Sequence, residues 1–187
     1  GHHRGMDSVR GQLLVATPMI DSGVFRRGVI YVLDHDQNGA LGVVVNHPLP
    51  SDVADILPEW GASVNMPASV FEGGPVAMDS ALAVGVVDDT ARPDGWQQVV
   101  GRVGVVDLEG PAPEPGAFVG IRVFAGYAGW SPGQLESEIE EGSWVVAPAR
   151  DEDLLSATPD QLWRQVLRRQ DSDVRFMATY PADPTMN

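Results

Sequence analysis

The sequence predicts an α+β fold built on one strongly curled sheet, with the helices grouped towards the C-terminus. Three observations carry this expectation. Strand-like apolar segments occupy most of the chain from Leu13 to Phe124. Three of them are interrupted by glycine in the same way: Leu41-Gly42-Val43-Val44, Val84-Gly85-Val86-Val87 and Val103-Gly104-Val105-Val106. The clearest helix starts come only after Trp130. Strands and helices that segregate along the chain favour α+β over a doubly wound sheet. A glycine inside a strand permits a bulge, a bend or close backbone approach, which suits a sheet curling towards a barrel. The competing explanation is that Gly and Val are simply common here.

Residues 13–16 are apolar at every position, as in a strand buried on both faces. Residues 29–33 are β-branched and aromatic, which favours a second strand. Asn38-Gly39 between two apolar runs marks a hairpin, because both residues tolerate positive φ. The strand returns over 40–45 and ends at His47-Pro48, since Pro donates nothing to a ladder. A short helix is expected over 51–57, capped by Ser51 and closed by Pro58. Further strands are expected at 70–71, 81–87, 97–100, 103–108 and 118–124. The segment 107–116 contains three Pro and reads as a surface loop.

Ser131-Pro132-Gly133-Gln134 has the form of a capping box, with Ser as the cap and Gln reaching back. It predicts a helix that buries Leu135 and Ile139, with Gly142 just beyond its end. Residues 144–147 form the next strand. Thr158-Pro159-Asp160-Gln161 is a second capping box, opening a helix that buries Leu162, Val166 and Leu167. Residues 1–5 (GHHRG) read as a non-native leader. One domain is expected over 6–177, with an ordered segment near Phe176, followed by a loose tail over 178–187.

Composition removes whole classes of chemistry. The chain of 187 residues has no Cys, and all twelve of its basic residues are Arg. There is no thiolate nucleophile, disulfide or zinc knuckle, and no Schiff-base or P-loop lysine. The formal net charge of −14 opposes binding to phosphate backbones, so direct nucleic-acid binding is disfavoured. No apolar run approaches the roughly 20 residues of a membrane helix, and no leader pattern precedes the domain, so a cytoplasmic location is expected.

The candidate motifs each have a simpler structural role. Gly129-Trp130-Ser131-Pro132-Gly133 fits G-x-S-x-G, but Pro132 has no N–H to offer an oxyanion and no His follows His47. Asp34, Asp36, Asn38 and Gly39 begin like a calcium loop, but Val45 stands where a bidentate Glu is required. His35 lies between Asp34 and Asp36, whose side chains should point to the opposite face of a strand. No catalytic residue, metal ligand or cofactor is therefore assigned. Glu72-Gly73-Gly74-Pro75 is a tight turn whose N–H groups could hold an anion, although it lacks the P-loop and dinucleotide patterns and a glycine bend is a sufficient reason for it. Tyr127, Gly129, Trp130, Ser131 and Gln134 read as a glycine-rich aromatic loop before a helix start, able to contact a ligand or partner, while the simpler role, which the commonness of buried aromatics favours, is that both rings pack in the core and the glycines make the turn. Arg164, Arg168, Arg169 and Arg175 form the basic cluster, for which the helix dipole is a sufficient reason.

In order along the chain, GQLLVATP at 11–18, the hairpin region 27–46, FEGGPV at 71–76, GYAGWSPGQLE at 126–136, residues 144–148 and Trp163 resemble the AlgH/YqgE-like family of small bacterial proteins. The resemblance implies a bent, bifurcated, mostly antiparallel sheet in a pseudo-barrel. It brings a family label of transcriptional regulator and no catalytic or metal residues to carry over. The match is poorest over 88–115. The expectation is a non-enzymatic binding or regulatory protein whose surface includes Asn46, Glu72, Gly73, Gly74, Tyr127, Gly129, Trp130, Ser131 and Gln134. Its partner would be a protein or a small anionic ligand. The alternative is an enzyme or anion-binding protein using the Gly-Gly-Pro turn and the 126–134 segment, with Glu72 as base.

Overall fold

The computed structural model describes residues 8–89 and 92–179; the expected leader at 1–5 and the tail from 180 onwards lie outside them. Ten strands form one curled, half-barrel sheet: β1 (Leu13–Ala16), β2 (Val29–Asp36), β3 (Gly39–Val44), β4 (Pro48–Asp52), β5 (Ser69–Glu72), β6 (Val76–Val86), β7 (Trp96–Val100), β8 (Val103–Val106), β9 (Gly120–Trp130) and β10 (Trp144–Ala147). The main path runs β10-β1-β2-β3-β9-β6-β8-β7. Strand β5 branches from it, pairing antiparallel with β4 and parallel with β9, and every other pairing is antiparallel. Strand β9 is the branch point. Its early residues pair with β6 and β5, and its last three pair with β3.

The alternation in β1 explains its unbroken apolar run. Leu13 and Val15 enter the main core, whereas Leu14 and Ala16 enter a second core on the other face. The main core lies between the sheet and α4 (Pro159–Arg168), which contributes Leu162, Trp163, Val166 and Leu167. Helix α2 (Gln134–Glu140) covers the second core with Leu135. A third core gathers Trp60, Val106 and Ile121, with Trp96 and Phe118 packed on it. The remaining helical pieces are short: α1 (Val53–Ile56), α3 (Asp151–Leu154) and α5 (Ser172–Arg175), with single 3-10 turns at Pro58–Trp60 and Phe176–Thr179.

The three strand glycines make slots as well as curvature. Gly85 and Gly104 are direct cross-strand partners. A Cβ on Gly85 would lie 2.8 Å from the Phe118 ring, and one on Gly104 would lie 2.5 Å from the Trp96 ring. Gly42 faces Val32, where the β2 register shifts.

Several local expectations need correction. Ser51 belongs to β4, and Asp52 stands at the start of α1 without a side-chain cap bond. Pro48 opens β4, an edge arrangement in which its missing N–H is harmless. Strand β6 begins at Val76, earlier than its apolar pattern shows, because residues 76–81 are exposed. The segment read as a glycine-rich loop from Tyr127 is the end of β9 as far as Trp130. Ser131 does not cap α2; Gly133, at φ 78°, occupies that position. Thr158 does precede α4, with Pro159 next, but its hydroxyl makes no cap bond.

Candidate functional site

The corner between β9 and α2 holds four of the candidate residues. Trp130 is buried and packs edge-on against Trp144, with 6.2 Å between ring centroids. Both indole N–H groups donate to Glu138 Oε1, at 3.0 Å from Trp130 and 2.8 Å from Trp144. The Gln134 amide donates to Glu138 Oε2. Gln134 Oε1 in turn accepts from both the backbone N–H and the hydroxyl of Ser131. The back-reaching half of the capping box is therefore present, while the Ser131 hydroxyl is turned to the glutamine. The chain of bonds Ser131–Gln134–Glu138 holds the corner together. Trp130, a candidate for the binding surface, is instead buried against Trp144 in the second core, the simpler of its two roles.

His35 closes the same corner from β2. Asp34 and Asp36 point outward and His35 is buried, as strand alternation requires. Its Nδ1 accepts the Val9 N–H at 2.9 Å, which places the proton on Nε2. The Glu136 carboxylate lies 3.2 Å from Nε2 but off the line a hydrogen bond needs. The Asn38 N–H donates to Asp36 Oδ1 at 2.7 Å, so this carboxylate shapes the hairpin turn.

Glu72, Gly73, Gly74 and Tyr127 meet elsewhere, at the branch of the sheet. Gly73 donates to the Ala125 carbonyl, and its own carbonyl accepts from Val44. A Cβ on Gly73 would approach Gly126 O to 2.4 Å, and one on Gly74 would approach the Tyr127 carbonyl to 2.2 Å. These glycines let two backbones touch. The Gly73 N–H is spent inside the sheet and cannot hold an anion.

Asn46 forms a third location. Its Oδ1 accepts from Val29 N and its Nδ2 donates to Arg27 O, tying the start of β2 to the second residue beyond β3. Next to it, burial pushes the His47 pKa down, a shift partly offset by Glu72 and by the Arg26 backbone.

The candidates thus fall into separate structural knots rather than one concavity. Gly129 and Tyr127 keep exposed surface, as do Ser131 and Gln134. Two arginine arrangements escaped the sequence reading. Arg27 stacks over Trp163 at 4.4 Å, and Arg164 approaches the same ring at 5.9 Å. Burial first, then the charges of Arg164 and Arg26, lowers the Arg27 pKa. Arg122 is fully buried against Phe71 and donates to the carbonyls of Leu154, Ser156 and Met66. Burial pushes its pKa down to about 10. An Arg inside an apolar strand gave a signal in sequence, but nothing local named its partners.

Comparison with known proteins places this geometry in a family. A UPF0301 protein of Streptomyces coelicolor is 50% identical over 97% of both chains. One from Thermobifida fusca is 45% identical over 99% of this chain and 98% of its own. The crystal structure of a Corynebacterium diphtheriae protein superposes with a TM-score of 0.87 at 32% identity, covering 95% of each chain. The solution structure of the AlgH protein from Pseudomonas aeruginosa shares the fold, with a TM-score of 0.66 at 22% identity over 97% of this chain and 99% of that one. The family model described as AlgH-like matches residues 13–175, and the chain belongs to that AlgH-like family.

Proposed function

We propose that this protein works by binding a protein partner, in a regulatory and non-enzymatic role, as one cytoplasmic domain over 6–177. The observation that carries this reading is the first half of β6. Residues 76–81 are all exposed, and Val76 and Met78 present apolar side chains there. Across this stretch β6 pairs with β9 only at Val76 and Ala81, and β8 covers the strand only from Ala83 onwards. Among the described residues no strand takes its outer edge. The edge bulges from the β9 ladder between Val76 and Ala81, with Ala77 at φ 51°, so its exposed side chains, rather than a regular row of main-chain groups, would hold a partner's segment. Tyr127 and Gly129 lie beside it on β9.

Direct nucleic-acid contact has less support. Arg169 is held by both Asp153 oxygens, and Arg164 donates to the Ala178 carbonyl. The enzyme or anion-site alternative has one donor fewer in its turn, because the Gly73 N–H is already bonded within the sheet. No helix among the described residues is long and apolar enough to cross a membrane.

Affinity capture from the native host tests the edge. The wild type should retain a defined protein that Val76→Asp/Met78→Asp loses, with both forms melting alike. Equal retention by the two forms removes this edge. Turnover of a defined compound by the purified protein removes the non-enzymatic reading.

A further inference from the structure

We propose that the cleft between Trp60, the 93–95 turn and the 107–118 loop binds a small organic cation with an apolar body. This site is separate from the β6 edge. The cleft has a volume of about 480 Å³, within the range of roughly 300–1,000 Å³ usual for small-molecule sites. Half-buried Ala112, Ala117 and Phe118 supply its apolar surface, with Trp60 and Val106 of the third core closing it behind them.

Three carboxylates, Asp94, Asp107 and Glu114, line it, and neither Arg nor His does. All three acids are exposed at the rim. Asp107 Oδ1 accepts the Glu109 N–H, which orients that carboxylate. The nearest cation in sequence, Arg92, lies over Trp96 at 5.3 Å and donates to the Asp88 carbonyl, outside the lining. An adjoining cavity of about 370 Å³ shares Pro113, Glu114 and Phe118 and adds Glu59. The field in this region is therefore negative, over apolar walls. That combination selects an ammonium or guanidinium carried on a ring or chain and repels anions.

The walls are built before any ligand arrives. Phe118 lies over the Gly85 slot, and the Trp96 indole N–H donates to Gly85 O at 3.0 Å beside it. Pro111, Pro113 and Pro115 fix φ along the loop. A pre-formed site loses less ordering entropy on binding.

Tryptamine is a suitable probe, with neutral tryptophol and anionic indole-3-acetate as matched controls, followed by amide and indole NMR shifts on the full chain. Saturable tryptamine shifts are expected at Trp60 and across 93–118, with tryptophol weaker and indole-3-acetate silent. Asp94→Asn/Glu114→Gln removes two rim charges from exposed positions and should weaken tryptamine about tenfold, leaving tryptophol unchanged. Ala112→Phe should fill the cleft and abolish both. The proposal is overturned if tryptamine fails to saturate at low millimolar concentration. It is equally overturned if the shifts map elsewhere, if indole-3-acetate binds as well, or if the rim variant binds tryptamine like the wild type.

Discussion

Glu138 has the sequence pattern of an outward helix acid, yet its carboxylate accepts both indole N–H groups of the second core. A buried indole N–H left without an acceptor costs about 1–3 kcal/mol, so this single acid decides where two tryptophans can sit. The consequence for Trp130 is direct. Trp130→Ala should destabilise the fold by about 3–5 kcal/mol, because it removes a buried ring and opens a cavity. Urea unfolding measures this, and Trp130→Phe should recover most of the loss. A Trp130→Ala protein as stable as the wild type would put the ring back on the surface. Sequence spacing did show that Trp130 precedes a helix start. It could not show that Trp144 from β10 would cover it, since the pair meets only once α2 has turned the chain.

At the level of elements, the Gly-Gly-Pro turn after β5 matters through backbone proximity. Gly73 and Gly74 stand against the backbone of Gly126 and Tyr127, and backbone atoms cannot rotate away as a side chain can. Gly74→Ala should therefore abolish cooperative thermal unfolding. Gly116→Ala is the informative contrast. Gly116 also has positive φ, at 84°, but nothing lies within 4 Å of its Cβ position, so the strain alone should cost about 1–2 kcal/mol. Calorimetry on the two variants distinguishes them, and similar melting curves would refute close approach as the reason for Gly74. The turn itself was legible in the sequence. Its role was not, because parallel pairing of Glu72 with Ala125 joins residues far apart in the chain. The outer half of β6 was illegible for the opposite reason, since exposed residues carry no apolar alternation to read.

Across the whole molecule, Arg122 joins three regions that share no strand ladder. From the branch-point strand β9 it reaches the loop at Met66 and the segment around Leu154 and Ser156, stacking on Phe71 as it passes. A lysine keeps the charge but cannot serve three carbonyls in a planar fork. Arg122→Lys should cost about 2–4 kcal/mol in chemical denaturation, with the denaturant slope unchanged if unfolding stays two-state. A loss below about 1 kcal/mol would mean that the guanidinium bonds are not what joins these regions.

The sequence by itself determined the buried strands, though not β4, the first half of β6 or the end of β9, and also where the hairpin turns, that α4 buries Leu162, Val166 and Leu167, and that thiol and lysine chemistry are absent. These properties are read from neighbours a few residues apart, through side-chain period, turn preference and residue type. Only the tertiary structure decided that Trp130 is interior, that Gly73 and Gly74 are contacts between backbones, and that Arg122 has carbonyl partners. Each depends on segments brought together from distant parts of the chain. Contact and hydrogen-bond partnership between distant segments are properties of that assembly, and no local pattern encodes them.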